Sequence, residues 1–177
     1  TESWPLPSPI HKLVLNDVGP AVQWAALQRI RRYLGRSGPN ATVEQAAQDM
    51  RALSAGFGPH TDEEWLALSR PMLRPLAGGG YRMHYDPAIA VPYAAITEAA
   101  AAEGEQTLWA LYDAITADTL VLRGAESDLL APATVAAMAQ RGPHARSVEF
   151  LGVGHAPTLV AANQLKVVLE FLLPAPI

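Results

Sequence analysis

The sequence has 177 residues, half of them hydrophobic, which excludes a disordered chain because so much apolar surface can form a core. Its formal net charge of −4 provides no basic surface for nucleic acid, so we expect no nucleic-acid partner. The absence of cysteine excludes disulfides and thiolate metal sites, and it fits the cytoplasmic location that we expect. No apolar run reaches the roughly 18 residues of a membrane-spanning helix, so no membrane partner is expected either.

The first predicted strand covers residues 11–16. Its residues Leu13, Val14 and Leu15 form a continuous apolar run, which is typical of a strand covered on both faces. Asp17 follows directly at the end of this strand, within LVLNDVGP. The pattern therefore places a carboxylate at the carboxyl end of a buried strand.

Residues 21–116 are predicted to be mainly helical. A first helix is expected at residues 21–34, where apolar residues recur at helical spacing. Thr42 with Gln45, and Thr61 with Glu64, have the spacing of capping boxes and predict two further helix starts. The later features expected here are a loop at 78–80, an irregular passage at 81–93, and helices at 94–103 and 105–115.

The stretch from 119 to 157 carries the candidate catalytic residues. TLVLRG (residues 119–124) predicts a buried parallel strand, and Asp128 follows it in GAESDLL. Next we expect a helix at 132–140, a strand at 147–151, His155 within GVGHAP, and a helix at 158–173. Because parallel strands bring their carboxyl ends to one edge of a sheet, Asp128 and His155 are predicted to form an acid–base pair.

This order of strand, Asp, helix, strand, Gly-x-Gly-His and helix resembles the C-terminal part of an α/β-hydrolase. In that family the acid follows the seventh strand and the histidine the eighth, which implies catalytic roles for Asp128 and His155. LVLNDVGP (residues 13–20) is similar to the sixth strand of bacterial members. Some relatives supply the acid after the sixth strand, so Asp17 is the alternative acid. Glu126 is an outside candidate.

The resemblance implies an α/β fold with about three parallel strands and a helical cap. Residues 1–20 would be the sixth-strand region, residues 21–116 the cap, and residues 117–177 strands seven and eight with the C-terminal helix. The nucleophile elbow Gly-x-Ser-x-Gly should precede the acid and the histidine, but no serine in the sequence has this pattern of glycines. We therefore expect a C-terminal piece of a longer polypeptide, with the N-terminal half of that polypeptide as its partner.

The activity implied by the resemblance is hydrolysis of a small ester or similar carbonyl substrate by a nucleophile–His–Asp triad. An upstream nucleophile, most often serine, would attack the carbonyl carbon while His155 takes its proton and Asp128 holds the imidazole. No cofactor is implied. An upstream aspartate would shift the chemistry to epoxides or haloalkanes, and C–C bond hydrolases share the same fold.

Several other side chains are weaker candidates. Arg74 and Arg82 could bind a substrate carboxylate, although arginines in a helical region are usually solvated. His84 and Asp86 have no third ligand at a useful spacing, so we expect no metal. The aromatic residues that could line a pocket, although core packing is expected for any one of them, are Trp24, Trp65, Tyr81, Tyr85, Tyr93 and Trp109.

A hypothesis of a different class is that the chain is not an enzyme as it stands. Three strands alone would leave the edge of the sixth strand unpaired, and a bare edge favours association. The chain would then be a catalytically incomplete fragment, or a module that pairs edge to edge as a homo-oligomer. Ester turnover that is lost on His155→Ala favours the hydrolase, whereas dimerisation without turnover favours the module.

Overall fold

A computed structural model describes residues 8–35 and 38–173 of the chain. Within these ranges the strands are β1 (Lys12–Asn16), β2 (Leu73–Pro75), β3 (Tyr81–Met83), β4 (Asp118–Gly124) and β5 (Arg146–Phe150). The α-helices are α1 (Trp24–Arg31), α2 (Val43–Leu53), α3 (Asp62–Ser69), α4 (Ala90–Ala95), α5 (Glu98–Asp113), α6 (Pro132–Met138) and α7 (Ala162–Leu172). The parts of the predicted ranges 1–20 and 117–177 that fall on residues 1–7 and 174–177 lie outside the described residues.

Three strands form a parallel sheet in the order β1-β4-β5. Leu15 lies opposite Val121 in the β1–β4 pair, and Leu122 lies opposite Val148 in the β4–β5 pair. The central strand β4 is buried from Thr119 onwards, because it is hydrogen-bonded on both edges and covered on both faces. The predicted α/β fold with about three parallel strands is therefore confirmed.

Alternate residues of β4 supply the two halves of the core. Val121 packs on one face with Tyr112 of α5 and Met138 of α6. Leu122 packs on the other face with Phe171 of α7. This alternation follows from the period of two in a β-strand, which sends successive side chains to opposite faces. Burial of each such large side chain contributes roughly 1.5–3 kcal/mol.

The segment between β1 and β4 contains a smaller core between α2 and α3. Ala47, Met50 and Trp65 are buried together there. Thr61 and Glu64 form the predicted capping box at the start of α3, where each side chain accepts from the other residue's backbone N–H. The segment therefore has apolar packing of its own.

The start of α2 differs in detail from the predicted capping box. Thr42 caps the helix, because its hydroxyl accepts from the Gln45 N–H at 3.1 Å. The Gln45 side chain, however, accepts from the backbone N–H of Ala41 at 3.0 Å, one residue before the cap. The predicted helix start is confirmed, and the reciprocal bond is displaced by one residue.

The prediction of an irregular passage at 81–93 was wrong at its start, where β3 pairs with β2 as an antiparallel hairpin. The expected loop at 78–80 forms the turn between the two strands. Gly80 has φ +77°, and a side chain there would come within 2.7 Å of the Asn40 carbonyl oxygen, so only glycine fits. Three-residue strands are too short for an alternating pattern to reveal them in the sequence.

The helices predicted at 94–103 and 105–115 are instead one helix, α5. Gly104 lies inside this helix and destabilises it by about 1 kcal/mol relative to alanine. The helix continues past Gly104 because its last turns pack into the core through Tyr112. The final helix begins at Ala162, four residues later than residue 158, where it was expected. None of the helices in the described part of the chain is both long and apolar enough to cross a lipid bilayer.

We expect Leu122→Ala to lower the free energy of unfolding by about 2–5 kcal/mol, because it removes a fully buried side chain from the centre of the sheet. Urea denaturation of the purified protein measures this change. Leu151→Ala is the matched control, since Leu151 is 85% exposed and its truncation should change the stability by less than about 0.5 kcal/mol. Equal losses in the two variants would contradict the packing of β4.

Candidate active site

Three loops meet at the carboxyl edge of the parallel sheet. Asp17 follows β1 directly, the turn at 124–130 follows β4, and the loop that carries His155 follows β5. The register aligns Asn16 with Leu122 and Gly124 with Phe150, so the three strands end close together. Parallel α/β sheets place their reactive groups at this edge.

His155 is paired with Asp17. The Nδ1 atom of His155 lies 2.8 Å from Oδ2 of Asp17, whose side chain is 0% exposed, whereas the imidazole is 23% exposed. An ionised carboxylate can only accept a hydrogen bond, so Nδ1 carries the proton and Nε2 presents its lone pair. Within the described residues Nε2 has no hydrogen-bond partner. The imidazole is therefore oriented on one side and available as a base on the other.

The buried carboxylate of Asp17 accepts two further hydrogen bonds. The Gly124 N–H donates to Oδ1 at 2.9 Å, and the Ser127 hydroxyl donates to Oδ2 at 2.6 Å. These donors replace the water that the carboxylate has lost. The backbone of Asp17 has φ +55°, a left-handed conformation that aspartate tolerates better than most residues, and its N–H donates to the Leu122 carbonyl at 2.8 Å.

The structure does not bring Asp128 to His155. Both carboxylate oxygens of Asp128 accept from Arg29 of α1, at 2.7 and 2.9 Å, and the side chain is 49% exposed. These hydrogen bonds raise the pKa of the Arg29 guanidinium. The expected Asp128–His155 pair is thus replaced by the pair of His155 with the alternative acid, Asp17. Neighbouring residues of the tight turn point in different directions, so that Ser127 faces the sheet edge and Asp128 faces α1.

Among the described residues, the His155 imidazole is bonded to the carboxylate of Asp17 and not to that of Glu126, the outside candidate. The Glu126 side chain is exposed, and its backbone N–H donates to the Val153 carbonyl at 2.9 Å. Glu126 therefore helps to hold the turn against the loop that carries His155 through its main chain rather than its carboxylate.

Sequence reasoning missed Arg123, a charged residue in the apolar strand β4. It is 5% exposed, and its Nε donates to the Leu130 carbonyl at 2.8 Å while Nη1 donates to the Ala125 carbonyl at 3.2 Å. Nη1 also forms an ion pair with Glu149 of β5. The Arg123 side chain therefore links the two ends of the turn at 124–130 by hydrogen bonds. The available signal was an arginine within TLVLRG, where an uncompensated charge would be costly.

The loop of His155 is fixed from two sides. The Asn16 side chain donates to the Pro157 carbonyl at 2.9 Å, which ties the loop to β1. On the other side, the Gly154 N–H donates to the Gly56 carbonyl at 2.6 Å, and the Thr158 hydroxyl lies 3.1 Å from Nε2 of His60. Gly56 and His60 belong to the segment between β1 and β4, so this segment lies directly against the histidine loop.

Three of the weaker candidates, Arg74, Arg82 and Asp86, lie in the β2–β3 hairpin and the short turn that follows it. Arg74 and Arg82 lie opposite each other in the β2–β3 hairpin, and both are exposed. Asp86 accepts from the backbone N–H of Ala88 at 2.8 Å and caps a short 3₁₀ turn. Across residues 8–35 and 38–173, no three His, Cys, Asp or Glu side chains are grouped so that they could hold a metal ion.

Two of the candidate aromatic residues pack within cores. Trp65 is 3% exposed and contacts Phe57 and His60 through its ring. Trp109 packs edge to face on Tyr112, and the guanidinium of Arg141 lies over the indole ring at 4.3 Å. Both residues thus take the expected packing role.

Comparison with known proteins gives three informative similarities. A 3-hydroxybutyrate-oligomer hydrolase of Cupriavidus necator is 44% identical over 167 residues, which cover 93% of this chain. The crystal structure of an α/β-hydrolase from Novosphingobium aromaticivorans is 32% identical, with a TM-score of 0.75 over 89% of the chain. That of a putative hydrolase from Rickettsia typhi is 25% identical, with a TM-score of 0.75 over 91% of the chain. No family model matches the chain.

The chain spans only part of each of these proteins. It covers 57% of the Cupriavidus necator hydrolase, 55% of the Novosphingobium aromaticivorans chain and 53% of the Rickettsia typhi chain. The similarity nevertheless includes nearly all of the present sequence, both in identity and in three-dimensional structure. With its parallel sheet and its histidine loop after β5, the chain has the α/β-hydrolase fold over the part of these proteins that it covers.

Proposed function

We propose that this protein is an ester hydrolase in which His155 is the general base and Asp17 is the acid that orients it. The observation that carries the proposal is the 2.8 Å contact between His155 Nδ1 and the fully buried Asp17 Oδ2. Such a pair fixes the tautomer that leaves Nε2 free to accept a proton. The similarity to hydrolases supports the same reaction class.

In the proposed reaction, Nε2 of His155 removes the proton of a nucleophilic hydroxyl as its oxygen attacks the ester carbonyl carbon. The imidazolium then returns this proton to the departing alkoxide, which leaves an acyl-enzyme. A water molecule, deprotonated by the same Nε2, hydrolyses the acyl-enzyme and restores the hydroxyl. Throughout, the negative charge of Asp17 stabilises the imidazolium without taking up its proton.

We place the nucleophile on a segment that precedes these 177 residues in the whole protein. The sequence contains no Gly-x-Ser-x-Gly motif, and in this fold family the nucleophile comes before the acid and the histidine along the chain. The chain's coverage of just over half of its relatives supports this placement. The N-terminal half of the polypeptide would then be the partner that completes the site.

The substrate class that we propose is a short ester of a hydroxy acid. The relative from Cupriavidus necator is named for hydrolysis of 3-hydroxybutyrate oligomers, and 44% identity over nearly the whole chain supports testing such oligoesters first. The linkage between two hydroxybutyrate units is an ordinary ester, which a nucleophile and a His–Asp pair can cleave without a cofactor. Epoxide or C–C bond hydrolysis stays an alternative prediction that depends on the nucleophile.

We further propose that residues 21–116 act as a cap over the site. Two contacts support this role. Arg29 of α1 binds Asp128 in the turn at 124–130, and the Gly56 carbonyl accepts from the N–H of Gly154, the residue before His155. A cover held at both points would exclude water from the reacting groups. The cytoplasmic location and possible homo-oligomer remain predictions from the sequence.

His155→Ala in the full-length protein should lower kcat for p-nitrophenyl acetate and for 3-hydroxybutyrate dimer by at least about a thousandfold, since no other group would take the nucleophile's proton. Steady-state kinetics measure this loss. His11→Ala is the control, because His11 is exposed and lies before β1, at the opposite end of the sheet. Undiminished turnover by the His155 variant would refute the proposed function.

Asp17→Asn and Asp128→Asn form a matched pair that identifies the orienting acid. We expect Asp17→Asn to lower kcat by about ten-thousandfold, the cost of the same change in a serine-protease triad, because an amide favours the wrong imidazole tautomer. Asp128→Asn weakens only an exposed ion pair with Arg29 and should change kcat by less than tenfold. The reverse order of effects would assign the acid to Asp128.

A further inference from the structure

Ser127 contacts the same oxygen of Asp17 that binds His155. Its hydroxyl lies 2.6 Å from Oδ2, the oxygen that lies 2.8 Å from Nδ1 of the imidazole. The Gly124 N–H holds the other oxygen, Oδ1, at 2.9 Å. Because each carboxylate oxygen has its own fixed donor, rotation of the carboxylate would break at least one hydrogen bond. We propose that Ser127 is a positioning residue for the Asp17–His155 pair, an inference that rests on the function proposed above.

The direction of the Ser127 hydroxyl is set by its other partners. The backbone N–H groups of Leu129 and Leu130 donate to Oγ at 3.2 and 3.1 Å. A serine hydroxyl has one proton and two acceptor lone pairs, so these two N–H groups occupy both lone pairs. The proton is left for Asp17. Ser127 is therefore not arranged as a nucleophile, since its proton points to a carboxylate rather than to the imidazole.

The turn that carries Ser127 is rigidly supported. Arg123 binds the carbonyls of Ala125 and Leu130 from inside the sheet and is itself paired with Glu149. A side chain at Gly124 would come within 2.2 Å of the Gly154 carbonyl oxygen, so the turn also lies directly against the histidine loop. The turn that carries Ser127 is thus hydrogen-bonded both to β4 and to the histidine loop.

This arrangement should affect the chemical step rather than substrate binding. Asp17 must stay aimed at Nδ1 while the imidazole gains and loses its proton at Nε2. Without the hydroxyl of Ser127, Oδ2 would keep only its bond to His155, and the carboxylate could turn away when that bond lengthens. Loss of an interaction that matters only during proton transfer lowers kcat and leaves KM nearly unchanged.

The first test compares Ser127→Val with Ser127→Thr in the full-length protein, using p-nitrophenyl acetate. Valine and threonine have the same shape, and only threonine keeps the hydroxyl. We expect Ser127→Val to lower kcat by about tenfold to a hundredfold with KM within about twofold, and Ser127→Thr to keep most of the activity. Melting temperatures establish that both variants fold, and Ser127→Ala, which adds no bulk, replaces the valine variant if that variant does not fold.

The second test places Ser127→Val in the Asp17→Asn background. If Ser127 acts through Asp17, the double variant should be almost as active as Asp17→Asn alone, because the positioned carboxylate is already lost. The inference would be overturned if Ser127→Val lowered kcat by the same factor in the Asp17→Asn background as in the otherwise unchanged protein. Equal activity of the valine and threonine variants would also overturn it. If His155→Ala also kept its activity, the proposed function itself would fail. Loss in His155→Ala without loss in Ser127→Val overturns only the role of Ser127.

Discussion

The buried carboxylate of Asp17 is the constraint on which the site depends. Placing a charged group out of contact with water costs several kcal/mol unless hydrogen bonds compensate it. Here the compensation comes from Gly124 at the end of β4, Ser127 in the following turn and His155 in the loop after β5. One carboxylate at the end of β1 therefore joins the ends of all three parallel strands, so the groups that stabilise the fold also orient the imidazole.

A second buried charge, that of Arg123, supports the turn that places Ser127 against Asp17. The carbonyls of Ala125 and Leu130 point towards the sheet and need donors, which Arg123 supplies from within β4. Glu149 on the neighbouring strand balances the charge of the guanidinium. The polar network thus extends from β5 through β4 to the turn, and then through Ser127 to Asp17. Each member has a partner, as a buried polar network requires if it is to hold one arrangement.

The helical segment between β1 and β4 is linked to the same edge of the sheet. Arg29 binds Asp128 in the turn at 124–130, and Gly56 and His60 contact the loop that carries His155. Both loops that surround the Asp17–His155 pair are therefore in direct contact with this segment. If the segment acts as the proposed cap, its movement would displace the turn and the histidine loop together.

The sequence by itself predicted strands at 11–16, 119–124 and 147–151, each within one residue of the observed bounds, and placed His155 on a glycine-flanked turn, because apolar runs and glycines act through local physical rules. It did not reveal the β2–β3 hairpin, because three-residue strands are too short to show an alternating pattern. It also missed the single helix α5 and the buried role of Arg123, which depend on packing and ion-pair partners in other elements of the fold. It offered both Asp17 and Asp128 as acids. Only the tertiary structure shows that Asp17, and not Asp128, contacts His155, because the side-chain directions within a tight turn, with Ser127 inward and Asp128 towards Arg29, are set by contacts more than 90 residues away in sequence.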